Sequence, residues 1–269
     1  MKANDTTLSD TVLAVLKRNA LSSANVPAEY EGMGMCNKDL LCLSEVLGLD
    51  FNVYMRLLQI QRAVTVITLY GSEEQKQTLL PKIASGALKP AILLFDENGN
   101  FDFESIQTSA IASGDGVEKI SGTKSSVIGV ADANLFLVFA MRKSNLQQKG
   151  NMACYIIERE HLPQQSCLTI NSRINTLGLN ALHVSDVELK DVPVNSSSLL
   201  GSVNDSRDIA LELSASNGYT YGAAVVGFLK LLIGELSHFC NTTIQFKSPL
   251  SENLGIQVNI DIFSKVFRK

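Results

Sequence analysis

Tryptophan is absent from the 269 residues, and histidine and cysteine are sparse, at three and five. The histidines (His161, His183, His238) lie far apart, and the cysteines (Cys36, Cys42, Cys154, Cys167, Cys240) are odd in number and contain no C-x-x-C pair. A zinc site needs several soft ligands held close together, so this spacing supplies no metal site. The cysteines read instead as buried, reduced thiols of a reducing compartment. Neither sign of charge dominates: 23 Lys and Arg stand against 27 Asp and Glu, a net charge of −4. That balance argues against a nucleic-acid binder and gives no electrostatic reason for adhesion to an anionic membrane. The apolar stretch Ala223–Leu236 is interrupted by Lys230 and is too short to span a bilayer, so no transmembrane segment is expected. The opening MKANDTTLSD has neither a secretory apolar run nor an Arg-rich amphipathic leader, and no presequence is visible in it.

What is present is an ordinary globular composition, 45% hydrophobic and 19% charged, at a length of about two domains. Three regions differ in periodicity. From about Ser9 to Ala87 the spacing is helical, carried by Val12, Val15, Leu16 and Ala20, then by Leu40, Leu41, Leu43, Val46 and Leu47, then by Val64, Ile67 and Leu69. VPAEYEGMGM (26–35) is a Pro- and Gly-rich loop between helices. Ser72 opens a further helix as its N-cap, with Glu73, Glu74 and Gln75 in the first turn, and Gly86 closes it.

From about Pro90 to Pro193 the period becomes two. The runs ILLF, AIAS, EKISG, SSVIGV, NLFLVFAM, ACYIIE, LTI and HVSDVELKDV predict an antiparallel barrel or sandwich. After the link NSSSLLGSVNDS the helical pattern returns in one long segment over 207–243, and a second begins near Ser251. The class is α+β. The expected domains are residues 1–89, a helical domain in part, 90–197, a β-domain, and 198–269, the first helices of an incomplete bundle. Paired only with the 207–243 segment, the last helix is expected to leave a large apolar flank, for other chains or a longer protein to cover.

These residues resemble the acyl-CoA dehydrogenase family. VPAEYEGMG is similar to its V-P-x-E-Y-G-G-x-G loop, and YGSEEQKQTLLPKIASGALKPAI (70–92) to its G-(S/T)-x-E-Q-K-x-x-x-L-P segment. SIQTSA, KISGTKS, GVADANLFLVFA, ACYIIERE and LGLNALHVSDVELKDVPV follow in the family's order. The tail GAAVVGFLKLLIGELSHFCNTTIQFKSPLSENLGIQ looks most like the very-long-chain branch and its paralogue, the complex I assembly factor. The resemblance implies a helical domain, a middle β-domain and a four-helix bundle, homo- or hetero-oligomeric through that bundle. It also implies FAD as cofactor, acyl-CoA as substrate, an electron-transfer flavoprotein as redox partner, and the mitochondrial matrix. The implied chemistry is removal of an acidified α-proton by a carboxylate while the β-hydrogen passes to the flavin as hydride.

The positions that the resemblance assigns to this chemistry are substituted. The family's (L/V)-T-E-P-x-x-G-S-D is LFDENGNFD here, with Phe95 at the flavin-facing Thr, Asn100 at the Gly, Phe101 at the Ser, and only Asp102 kept. Its K-x-W-I-T-(N/S) is KSSVIG, with Ser126 at the Trp and Ile128 at the second hydroxyl. The Arg that the family sends to the FAD diphosphate is Thr243, ahead of a retained Phe246, and the Arg beside the substrate is Gly218. Most branches place the base late in the bundle, beyond Lys269. The alternative base position is Asn217, whose amide accepts no proton, and Glu212 stands roughly a turn and a half away. Scaffold residues persist: Gly71, Pro81, Gly86, Gly122, Lys124, Gly178, Pro193 and Gly227. Three readings follow: an acyl-CoA dehydrogenase by kinship, a non-catalytic mitochondrial interaction or assembly protein, and a truncated product with little function of its own. The substitutions favour a scaffold that has lost its chemistry, with an acyl slot either kept or filled by Phe95 and Phe101.

Overall fold

The structure, a computed structural model, describes residue 8 and residues 10–97, 102–113, 116–143, 150–215 and 218–267. Its contacts group into two units: residues 1–36 with 55–217, and residues 37–54 with 218–269.

In the first unit, α1 spans Asp10–Arg18, the greater part of α3 (Phe51–Tyr70) follows, and α4 spans Glu73–Ala84. Ser72 caps α4 as the sequence predicts. Its Oγ accepts from Gln75 N at 3.2 Å, and Gln75 Oε1 accepts from Ser72 N at 3.0 Å, a reciprocal box that satisfies two orphan donors. Gly86, at φ 76°, ends the helix in the left-handed conformation. In the 26–35 loop, Ala28–Tyr30 form one 3-10 turn, and Glu31 follows at φ 64°, a left-handed position filled by a non-glycine residue.

Seven strands make one sheet: β1 (Pro90–Leu93), β2 (Ser109–Ala112), β3 (Glu118–Ile128), β4 (Leu135–Lys143), β5 (Asn151–Glu158), β6 (Leu168–Ile170) and β7 (Val184–Val194). The path is β1-β4-β2-β3-β7-β6, with β5 also on β4. The expected antiparallel architecture is therefore corrected to a mixed sheet, because β1 and β2 both run parallel to β4. β1 pairs with Leu135–Val138 and β2 with Met141–Lys143, so the two are successive pieces laid along β4 in the same direction. Side-chain alternation records which face a residue takes and carries no information on strand direction. β4 is buried at seven consecutive positions, as expected of a strand covered on both faces. Its Phe136, Val138 and Ala140 join Tyr155, Ile120, Val187 and Leu189 in the core. EKISG and SSVIG, two runs in the sequence, are one strand, β3, interrupted by register shifts at Ile120/Gly122 and Lys124/Val127. Within this unit α5 (Ser206–Ala215) packs Ile209, Ala210 and Leu213 inward and contacts β5.

In the second unit, α2 (Asn37–Leu47) packs on α6 (Gly218–Thr242). A Cβ on Gly227 would fall 1.8 Å from the Glu45 carbonyl oxygen, so only glycine permits this backbone approach. Phe51 makes edge contacts with Tyr54 and Tyr221 at 5.4 and 5.5 Å, the Tyr54 hydroxyl lies 3.2 Å from Thr220 Oγ1, and Lys230 pairs with Glu45 at 2.5 Å. The expected single helix over 207–243 is described as α5 and α6, with residues 216 and 217 outside the described set. Residues 206–242 together are long and apolar enough to cross a membrane by length and composition alone. The expectation of too short a stretch rested on Ala223–Leu236, whereas α6 runs well past both of its ends. A hairpin unforeseen in the sequence, β8 (Ile244–Gln245) with β9 (Ser248–Pro249), leads to α7 (Leu254–Phe267), which contacts α6. The cysteine expectation is corrected in part: Cys154 and Cys240 are buried, Cys167 is partly exposed, and Cys36 and Cys42 are exposed on or beside α2.

Candidate functional site

Between β1 and β2 the chain leaves the edge of β4 and returns, and LFDENGNFD begins this excursion. One carboxylate ties both ends of it. Asp96 Oδ2 accepts from Gln107 N at 2.6 Å and Thr108 N at 2.7 Å, while Oδ1 accepts from Thr108 Oγ1 at 2.8 Å and Lys124 Nζ at 2.7 Å. Lys124 Nζ also donates to the Leu94 carbonyl at 3.0 Å, and its side chain is completely buried. Burial pushes the Lys124 ammonium down to about 8, against the attraction of Asp96. Burial would raise the Asp96 carboxyl, but Lys124 and the Thr108 donors outweigh it and hold the group below its ordinary value. Both partners are thus ionised at neutral pH. Sealed from solvent and hydrogen-bonded to two oxygens, the ammonium acts as a strut. Cys154 lies near it, and burial pushes that thiol up, away from nucleophilic chemistry.

Phe95 rides on this excursion. Its ring stacks on Phe103, with centroids 6.2 Å apart and planes within 7°. The Phe95 carbonyl accepts from Ser125 N at 2.9 Å, so the structure brings Phe95 beside the Ser125–Ser126 bulge of β3. Ser126 is exposed at φ 55°, and its N–H donates to Asp186 Oδ1 at 2.9 Å. Ile128 closes β3 opposite Val184. Asp102 is exposed and its carbonyl accepts from Ser105 N and Ser105 Oγ, the bonding of a turn former. Asn100 and Phe101 lie outside the described residues.

In the second unit, Gly218 is the first residue of the 25-residue α6 and Thr243 follows its last, so the two stand at opposite ends of the helix. Phe246 is fully exposed at φ 50° and Lys247 follows at φ 70°, the two positive values that a tight primed turn between β8 and β9 requires. Asn217 lies outside the described residues, and Glu212 sits partly exposed on α5 of the first unit. Among the described residues no group of three or more His, Cys, Asp or Glu is placed to hold a metal.

Asp96 is the residue that sequence reading passed over. Its signal was available: Lys124 falls in phase with Ile120 on the inward face of β3, and a buried lysine demands an acceptor.

Comparison with known proteins agrees with this fold. Residues 2–87 match the family model for the acyl-CoA dehydrogenase N-terminal domain. The mitochondrial very long-chain specific acyl-CoA dehydrogenase of Macaca fascicularis is 28% identical over 262 residues, covering 94% of this chain and 39% of that protein. The butyryl-CoA dehydrogenase structure from Megasphaera elsdenii superposes with a TM-score of 0.87 at 21% identity, over 98% of this chain and 69% of that one. An acyl-CoA dehydrogenase complexed with FAD from Bacillus anthracis gives 0.87 at 22% identity, over 96% of this chain and 43% of that one. The chain is thus similar to the acyl-CoA dehydrogenases, through residues 2–87 to their N-terminal domain and over most of its length to the very long-chain relatives. It spans about two-fifths of the length of the very long-chain relatives that it matches.

Proposed function

We propose that this chain is an acyl-CoA dehydrogenase-like protein that keeps the family scaffold and has lost flavin-dependent α,β-dehydrogenation of fatty acyl-CoA. The observation that carries this reading is Phe95, a ring stacked on Phe103 where the resemblance puts a hydroxyl facing the flavin. A phenyl ring donates no hydrogen bond to a flavin. Nearby, the Ser126 N–H is committed to Asp186 and Ile128 offers no hydroxyl. Thr243 carries no charge for a diphosphate, Gly218 offers nothing to a substrate, and Asn217 is no base. Contacts to charged groups contribute about 1.5–3 kcal/mol each, so losing several removes most of the affinity. The residues present do not fit FAD.

A second reading is a non-catalytic mitochondrial interaction or assembly protein, for complex I or for a true dehydrogenase subunit. The apolar exposure of the second unit favours it: Phe239, Leu254, Val258, Ile262 and Phe263 are each more than half exposed. Under either reading the helical, β and bundle segments are residues 1–89, 90–197 and 198–269, the compartment is the mitochondrion, and acyl-CoA and an oligomeric partner remain the ligands to test.

The deciding experiment is the absorbance spectrum of the purified chain after incubation with FAD and removal of the excess. A folded protein without a flavin band is the expected result. A band near one equivalent per chain sinks the proposal and calls for an acyl-CoA turnover assay.

A further inference from the structure

A pocket lies in the first unit, away from the excursion between β1 and β2. Its volume is about 490 Å³, within the range of small-molecule sites, and α1, α3, the end of α4 and the segment before β1 enclose it. Its inner wall is apolar: Leu57, Ile60 and Leu88 are 2%, 6% and 7% exposed. Its charges are mostly of one sign. Lys17 and Lys89 stand at the exposed rim and Arg56 in the wall, against the single carboxylate of Asp132. Asp132 is shared, 3.0 Å from Arg56 Nη2 and 3.5 Å from Lys89 Nζ, and Lys17 makes no ion pair among the described residues. Arg56 has only 9% of its side chain exposed, and its Nη1 has no hydrogen-bond partner there. A buried guanidinium that shares its only carboxylate leaves positive charge uncompensated beside an apolar wall.

We propose that this pocket binds a small anionic amphiphile, a molecule with one carboxylate head and an aliphatic body. The head lies among Lys17, Lys89 and Arg56, and the body lies along Leu57, Ile60 and Leu88. The site requires no flavin and stands or falls apart from the proposed function.

The test is calorimetric titration of the full chain with decanoate and, in parallel, with uncharged decanol. The expected result is saturable decanoate binding at one site, with decanol at least about ten-fold weaker. Lys17→Glu, an exposed change on α1, is expected to weaken decanoate by at least about ten-fold and to leave decanol unaltered. Ser85→Trp, at the exposed end of α4 on the pocket rim, is expected to abolish binding of both while the circular dichroism spectrum stays that of the parent. Three results overturn the proposal. These are no saturable binding of decanoate, equal affinity for acid and alcohol, or decanoate binding that neither variant alters, which places the ligand elsewhere.

Discussion

Lys124 Nζ and Asp96 Oδ1 meet at 2.7 Å, both buried, and the pair holds the point where the chain leaves β1 to the point where it rejoins the sheet at Thr108. Removing one partner of such a pair leaves an uncompensated charge in the interior, at about 3–5 kcal/mol. Asp96→Leu strips Lys124 of its counter-charge and is expected to cost that much. Lys124→Met is expected near the lower end, because Gln107 N and Thr108 still serve the carboxylate. The double variant is expected to cost clearly less than the sum of the two. Urea denaturation of all four proteins measures this, and strict additivity would show that the pair is uncoupled.

The same pair has a dependence on pH. Lys124 falls from 10.5 when exposed to about 8 when folded, so between those values the unfolded chain binds more protons. Its contribution to stability is present above 10.5 and is lost as pH falls through about 8. Cys154 and Tyr155 act in the opposite direction, because burial raises both from ordinary values of 9.0 and 10.0. Their contributions are lost as pH rises past those ordinary values. Stability is therefore expected to rise from pH 8 towards pH 9 and to level or fall beyond it, and Lys124→Met is expected to abolish the rise. In acid, the Asp96 contribution is present above its ordinary 3.8 and is lost as pH falls through the lower folded value. Denaturation midpoints across this range, for parent and variant, decide the matter.

Glu31 occupies a left-handed position at φ 64°, is exposed, and stands where the family pattern carries glycine. The left-handed conformation costs a residue with a Cβ roughly 1–2 kcal/mol, and glycine recovers part of it against its larger entropy when unfolded. Glu31→Gly is thus expected to stabilise the chain by about 0.5–1 kcal/mol, seen as a higher melting temperature. A lower melting temperature would mean that the Glu31 side chain contributes something its exposure does not suggest.

The element types were legible because each has a local cause. Ser72 and Gln75 spell a capping box, and the β-branched runs spell strands. What was hidden depends on partners distant in sequence. β3 reads as two strands because the shifts at Gly122 and Ser126 reset its alternation. The turn between β8 and β9 was missed because Phe246 and Lys247, neither a usual turn residue, both take positive φ. The approach of α2 to α6 depends on one glycine, Gly227, whose meaning appears only when Glu45 is seen against it. At the candidate site, resemblance located Phe95 and Ser126, but Asp96 became visible only through Lys124.

Phe95 and Phe103 provide a last test, of whether the Phe95 ring is already committed. Both rings are partly buried, and parallel aromatic pairs couple by about 0.5–1.5 kcal/mol beyond the area they bury. Phe95→Ala and Phe103→Ala are each expected to destabilise the chain, with the double variant short of the sum by that coupling. A ring held this way is part of the packing of the excursion, and replacing it with a hydroxyl sacrifices stability before any cofactor arrives. Phe95→Thr alone is therefore expected to lower the melting temperature and to bring no flavin band after incubation with FAD. Zero coupling in the cycle, with a flavin band in Phe95→Thr, would mean instead that this single ring is what keeps the flavin out.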